Sequence, residues 1–190
     1  MRKIIFDIET KNIFEDVGSN NPADLDLSVI CTYDSETGQY QSFLEDQLDD
    51  LWPIMRAADM YITYNGNYFD IPLLQKYAPF NLSDVRHLDL FEEVYKSSGK
   101  KLGLGGIAET TLGIGKSGHG LDAVAWWNSG EIDKIIKYCI DDVKVTKAVY
   151  DYAREHKHLK FTDRVTGDVQ EISLDPSGWE EREEKTGMLF

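Results

Sequence analysis

Hydrophobic and polar positions alternate most clearly at the start of the chain. From Arg2 to Thr10, Ile4, Phe6 and Ile8 share one face of a strand, while Ile5 shares the other with Asp7 and Glu9. Apolar residues on both faces predict a central, covered strand, where a buried carboxylate is costly unless a cation or hydrogen bonds offset it. Two readings are open for these acids. Either a cation holds both, or the strand runs into solvent at Asp7 and both are hydrated.

The polar stretch Lys11–Leu27, with Gly18, Asn20, Asn21 and Pro22, predicts a connecting loop. Ser28–Tyr33 and Gln39–Leu44 then form a hairpin across Asp34-Ser35-Glu36-Thr37-Gly38. Leu48, Leu51, Trp52, Ile54 and Met55 recur at helical spacing between Gln47 and Ala58, with Pro53 in a first turn or at a kink. Met60–Tyr64 is a fourth strand ended by Asn65-Gly66-Asn67, Ile71–Tyr77 a helix, and Arg86–Leu90 a fifth strand. Helical spacing returns in Leu102–Leu112, despite three glycines, and in Leu121–Asn128 beyond a glycine-rich loop at Gly113–Gly120. Ser129 caps a long helix reaching about Arg154, and Phe161–Ser173, broken at Thr166-Gly167-Asp168, is a terminal hairpin. This order predicts an α/β fold: a mixed five-stranded sheet with helices on both faces, plus a C-terminal β-hairpin. The expected division is a domain over 1–158, with a hairpin and acidic tail over 159–190 packed on that domain or trailing from it.

At 190 residues the chain suits one domain with a substantial core. The two cysteines, Cys31 and Cys139, are too few and too apolar in context for a disulfide framework or zinc cluster, and are expected in the core. No apolar run has membrane-spanning length, and Met-Arg-Lys leads directly into strand, so a soluble cytoplasmic protein without membrane contact is expected. The net charge of −14 opposes tight, nonspecific nucleic-acid binding, but not an enzyme that meets phosphate at one metal-loaded site. Part of the excess lies in Glu180, Glu181, Glu183 and Glu184, expected as a solvated tail.

The long helix carries the next chemical signal. Ile132, Ile135, Ile136, Cys139, Val143, Val145, Val149 and Tyr150 fill one broad arc, with Tyr138 and Asp142 inside it. Asp141 points about 100° away. Tyr138 and Asp142, four apart, are neighbours on that face. Asp70 opens a helix ahead of Ile71-Pro72-Leu73-Leu74, and taken alone reads as an N-cap with a carboxylate oxygen left over. Asn65 either orients this loop or terminates the strand.

Phe6-Asp7-Ile8-Glu9-Thr10, Asn65-Gly66-Asn67-Tyr68-Phe69-Asp70 and Tyr138-Cys139-Ile140-Asp141-Asp142 together resemble the three motifs of the DEDD exonuclease superfamily. The tyrosine four residues before the last aspartate is similar to the DEDDy branch, which includes the proofreading domains of family B DNA polymerases. The resemblance covers about residues 1–155. It implies a ribonuclease-H-like fold and removal of nucleotides from 3′ ends. It also implies two Mg2+ or Mn2+ ions held by Asp7, Glu9, Asp70 and Asp142, with Tyr138 orienting the attacking water. Hard carboxylate oxygens suit those ions.

Candidate substrate contacts are Thr10, Asn65, Lys101, Lys116 and His119, with Lys100 also near the glycine-rich loop; scattered surface charge is the ordinary alternative for the lysines. Trp126 and Trp127 are candidates for base stacking or for core, and His87 and His119 are too isolated for metal ligation. The expected partner is a single-stranded nucleic acid or frayed 3′ end, DNA or RNA, with a polymerase or helicase as a possible deliverer. Oligomeric state is open. A noncatalytic module binding a structural cation is the competing reading, and an endonuclease a third.

Overall fold

The computed structural model describes residues 1–115, 118 and 120–181. Lys116 and His119 lie outside the described residues, as do Glu183 and Glu184. The central sheet contains β1 (Lys3–Thr10), β2 (Leu27–Asp34), β3 (Gln39–Leu44), β4 (Met60–Thr63) and β5 (Arg86–Asp89), in the order β3-β2-β1-β4-β5. β1, β2 and β3 are antiparallel neighbours, whereas β4 and β5 run parallel to β1. The sheet is mixed, as the order of elements predicts.

Helices follow at α1 (Phe14–Val17), α2 (Leu48–Arg56), α3 (Asp70–Gln75), α4 (Leu90–Ser98), α5 (Leu104–Leu112), α6 (Gly120–Asn128) and α7 (Ile132–His156). None is long and apolar enough to cross a membrane. The alternation in β1 divides the core in two. Ile4, Phe6 and Ile8 pack with Leu51 and Met55 of α2 and Leu73 and Leu74 of α3. Ile5 faces the other way, with Ile107 of α5, Ala123 of α6, and Cys139 and Val143 of α7. Both cysteines are buried and free.

Four local expectations are corrected. The segment 11–27 contains α1, a 3-10 turn at Pro22–Asp24 and the first residue of β2. Leu90, expected as the end of a strand, instead starts α4, because the Asp89 side chain accepts the Phe91 N–H and caps a helix whose apolar side buries Leu90 and Val94. Ser129 does not cap α7. Gly130 takes φ of 71°, breaking the chain between Ser129 and the helix, so Glu131 occupies the N-cap and Ser129 Oγ donates to the Ala125 carbonyl at 2.9 Å. Asp70 is the first residue of α3 and Phe69 the N-cap, which frees the Asp70 side chain from capping.

The C-terminal hairpin pairs β6 (His158–Thr162) with β7 (Val169–Ser173). Leu159, Phe161 and Ile172 join the same buried cluster as Ile5 and Cys139. The segment that follows is docked as far as Glu180, where a solvated tail is expected, while Glu181 is exposed. Trp179 is buried, stacks on Tyr150 with ring centroids 6.0 Å apart, and donates from Nε1 to Glu93 Oε2 at 3.1 Å. Glu180 pairs with Lys3 and Arg154, and the Arg86 guanidinium donates to the carbonyls of Gly178 and Glu181.

Because Leu159 is fully buried, Leu159→Ala is expected to cost about 2–5 kcal/mol. Denaturation followed by tryptophan fluorescence should show one shifted transition. A hairpin folding on its own would leave the main midpoint where it was.

Candidate metal centre

The site is assembled from the end of β1, the start of α3 and the middle of α7. Side chains of Asp7, Glu9 and Asp142 each place a carboxylate oxygen within 4.8 Å of the others. Two features position the strand end. Cys139 lies between Tyr138 and Asp142 in sequence and donates from Sγ to the Asp7 carbonyl at 3.3 Å, fastening α7 to β1. The β1–β2 register shifts between Glu9, opposite Val29, and Thr10, opposite Leu27. Such an irregularity ends regular pairing and re-aims the residues around it.

Asp70 is 4 % exposed and is not within the 4.8 Å group, yet it acts electrostatically on both Asp7 and Glu9. Asp7 Oδ2 and Asp70 Oδ1 are buried without a hydrogen-bond partner among the described residues. Burial, followed by repulsion from Asp70, Asp142 and Glu9, holds the Asp7 carboxyl well above its ordinary pKa. Glu9 is raised in the same way, by burial and then by Asp142 and Asp70. Burial lifts Asp70 to about 7, against the pull of the backbone N–H groups of Asp70 itself and Ile8. Acids are thus the strongest charged neighbours of Asp7 and Glu9. Orphaned, desolvated oxygens of hard-ligand type are what a divalent cation such as magnesium or manganese requires, so the donor set fits one.

Tyr138 lies beside Asp142 on the same helix face, and burial, followed by the Asp142, Glu9 and Asp7 carboxylates, raises its pKa, so its phenol remains protonated at neutral pH. The ring is held edge-on by Trp126 at 6.0 Å. A Cβ added at Gly118 would sit 3.2 Å from Tyr138 Cε2, so Gly118 lies close against the ring. Asp141, expected outside the arc, is turned outward between Lys137 (2.6 Å) and Lys144 (3.2 Å).

The loop before Asp70 depends on a residue that sequence reasoning missed. Asp89 is buried and its carboxylate accepts the backbone N–H groups of Asn65 (2.8 Å), Asn67 (2.9 Å) and Phe91 (2.9 Å). One side chain therefore caps α4 and folds the turn that leads to Asp70. A second link runs from Thr63 Oγ1 to His87 Nε2 (2.8 Å) and from His87 Nδ1 to Asn67 Oδ1 (2.6 Å). Gly66 closes against the same threonine: its N–H donates to Thr63 Oγ1 at 3.2 Å, and an added Cβ would lie 2.6 Å from Thr63 Cβ. The only sequence signal for Asp89 was its place before an apolar, helix-spaced run.

The remaining candidates are dispersed. Thr10 is buried, with Oγ1 donating to the Asn12 carbonyl at 2.8 Å. Asn65 has φ of 71°, a left-handed turn residue whose N–H belongs to Asp89. Trp127 is half-buried, with the Lys11 ammonium 4.9 Å from its ring centre. Lys101 is exposed and lines a cleft of about 1340 Å³ that reaches Tyr138 and Asp142. Asp7 and Glu9 do not line this cleft.

Residues 4–154 match the RNase_H superfamily. The chain belongs to that superfamily. It is 24% identical over 208 residues to a DNA-directed DNA polymerase of Enterobacteria phage T3, a match covering 84% of this chain and 28% of the phage protein. Its fold is similar to that of the family B DNA polymerase from the hyperthermophilic archaeon Pyrobaculum calidifontis. That match has a TM-score of 0.62 and 19% identity, covering 81% of this chain and 24% of the polymerase. The chain therefore spans about a quarter of the length of each of these relatives. Superfamily membership and the acidic site together point to a nuclease with a ribonuclease-H-like fold.

Without a cation, carboxyls whose folded pKa is raised bind more protons than the unfolded chain does, so stability falls as pH rises from the unfolded value towards the folded one. For Asp70 that window runs from 3.8 to about 7. In chelator, the melting temperature should drop across this interval, and Asp70→Asn should flatten the drop. Asp89→Ala leaves three backbone donors unsatisfied and should destabilise the fold by at least about 2 kcal/mol in denaturant titrations.

Proposed function

We propose that the protein is a DEDDy-type 3′-to-5′ exonuclease that hydrolyses the terminal phosphodiester of single-stranded DNA or RNA, or of a frayed 3′ end. The observation that carries this reading is the convergence of Asp7, Glu9 and Asp142 within 4.8 Å, with Tyr138 beside Asp142 in the wall of one cleft. Asp7, Glu9, Asp70 and Asp142 would hold two Mg2+ or Mn2+ ions. Bound there, the ions would supply positive charge to the phosphoryl oxygens and acidify the attacking water.

The protein's own groups orient and align. The Tyr138 phenol keeps its proton, so its contribution is a directed O–H rather than a base, aiming the water at phosphorus. Water adds to phosphorus as the bond to the 3′ oxygen of the preceding nucleotide breaks. That oxygen takes up a proton, leaving a new 3′ hydroxyl and a nucleoside 5′-monophosphate. The packing of Trp126 and Gly118 around the ring restricts where the hydroxyl points, and such alignment is a large part of what a phosphoryl-transfer site contributes.

Delivery of the strand by a polymerase or a helicase belongs to the same proposal, and the polymerase names of the relatives favour the first. The net charge of −14 favours the competing reading, a noncatalytic module with a structural cation. Turnover separates the two. With magnesium or manganese, a 5′-labelled oligonucleotide should shorten from a free 3′ end and resist when that end is blocked. Asp7→Asn or Asp142→Asn should lower kcat at least about a thousandfold, and Tyr138→Phe about ten- to a hundredfold, with folding preserved by circular dichroism. Undiminished shortening by both aspartate variants would overturn the assignment, and cutting of a circular strand would favour an endonuclease.

A further inference from the structure

The β6–β7 hairpin lies beyond the matched residues 4–154, yet its turn forms part of the wall of the cleft that reaches Tyr138 and Asp142. This wall is fixed rather than loose. Thr111 Oγ1 donates to the Lys160 carbonyl at 3.0 Å and accepts the Lys160 N–H at 2.9 Å, while Thr110 Oγ1 meets Thr162 Oγ1 at 3.1 Å. The hairpin and α5 thus move as one piece. At the turn, Asp163 accepts the N–H groups of Val165 (2.9 Å) and Thr166 (3.3 Å) and pairs with Lys100 at 2.7 Å, leaving Arg164 and Val165 projecting.

Lys100, Lys101, Lys144 and Arg164 line this cleft beside Glu109, Asp141, Asp142 and Asp163, so its walls are balanced where the whole chain is acidic. In an acidic chain, most described lysines and arginines are paired with a carboxylate, among them Arg2, Lys3, Lys76 and Lys147. Lys101, in the segment entering α5, and Arg164, at the hairpin turn, both line the cleft, are exposed, and form no ion pair among the described residues. Between the two walls, Gly103 and Gly106 have nothing within 4 Å of where a Cβ would project, so the floor is open backbone. A cleft with exposed, unpaired cations at Lys101 and Arg164 that reaches Tyr138 and Asp142, the face of the acidic centre open to it, fits a polyanion laid along it. A guanidinium matches the paired oxygens of a phosphodiester.

We infer that the C-terminal hairpin is a strand clamp: Lys101 and Arg164 hold backbone phosphates of the single strand upstream of the 3′ end, while that end lies at Tyr138 and Asp142. The inference rests on the exonuclease reading and assigns a role to an element outside the superfamily match. Neither cation belongs to the proposed catalytic set. Loss of either therefore weakens the grip on a long strand and leaves the chemistry intact.

The test compares Lys101→Glu, Arg164→Glu and the double variant with the parent, on a labelled twelve-residue oligothymidylate and on the p-nitrophenyl ester of thymidine 5′-monophosphate, which has no upstream phosphates. Each single change should raise KM for the oligomer about tenfold, with kcat and ester hydrolysis unchanged. The salt dependence of oligomer binding should become shallower by about 0.7 in log–log slope per cation removed. Unchanged KM for the oligomer, or equal losses on both substrates, would overturn the clamp. If the parent hydrolyses neither substrate, the nuclease reading fails, and fluorescence anisotropy of the labelled oligomer still decides the clamp. Weaker binding by the double variant supports it; equal binding rejects it.

Discussion

Mutual repulsion among desolvated carboxylates is the constraint on which the rest of this structure depends. Asp7, Glu9, Asp70 and Asp142 come from three elements, and the presence of the others raises the energy of ionised Asp7 and Glu9, while burial does the same for Asp70. The fold tolerates this because apolar packing on both faces of β1 holds the backbone in place whatever the acids prefer. Cys139 makes the point locally: its thiol contacts the Asp7 carbonyl from within the same helical turn that presents Tyr138 and Asp142. The core imposes the cluster, and the cluster then calls for positive charge.

The same logic explains which parts of the centre were legible in the sequence. Asp7 and Glu9 share a face because a strand repeats every two residues, and Asp142 differs from Asp141 because a helix turns about 100° per residue. Both inferences need only local geometry, and the outward ion pairs of Asp141 agree with it. Asp89 escaped because two of its partners are backbone amides 24 and 22 residues away, a relation with no periodicity. The missing α4 had the same origin, since the residue that ends β5 also caps the helix. Ser129 misled because a left-handed glycine stood between a good capping residue and the helix it was expected to cap. Trp179 sat in an acidic stretch with no pattern around it, and only the tertiary fold shows it stacked on Tyr150.

Charge is distributed in a way that composition alone obscures. A formal −14 suggests a surface hostile to phosphate, yet much of the positive charge is locked in ion pairs such as Arg2–Asp34 and Lys147–Asp151. What matters for an anionic ligand is which cations remain available and where. The tail illustrates the opposite use of acid: Glu180 joins Lys3 of the first strand to Arg154 of the last helix, tying the end of the described chain to its beginning.

The close fit between Gly66 and Thr63 has an evolutionary corollary. Because an added methyl at position 66 would lie well inside van der Waals contact with Thr63 Oγ1, the two positions form one steric unit. Across descendants of this sequence they should drift as a pair, a bulkier residue at one appearing only where the other has shrunk. The turn that delivers Asp70 can then persist through considerable divergence, provided the combined volume of that pair is conserved.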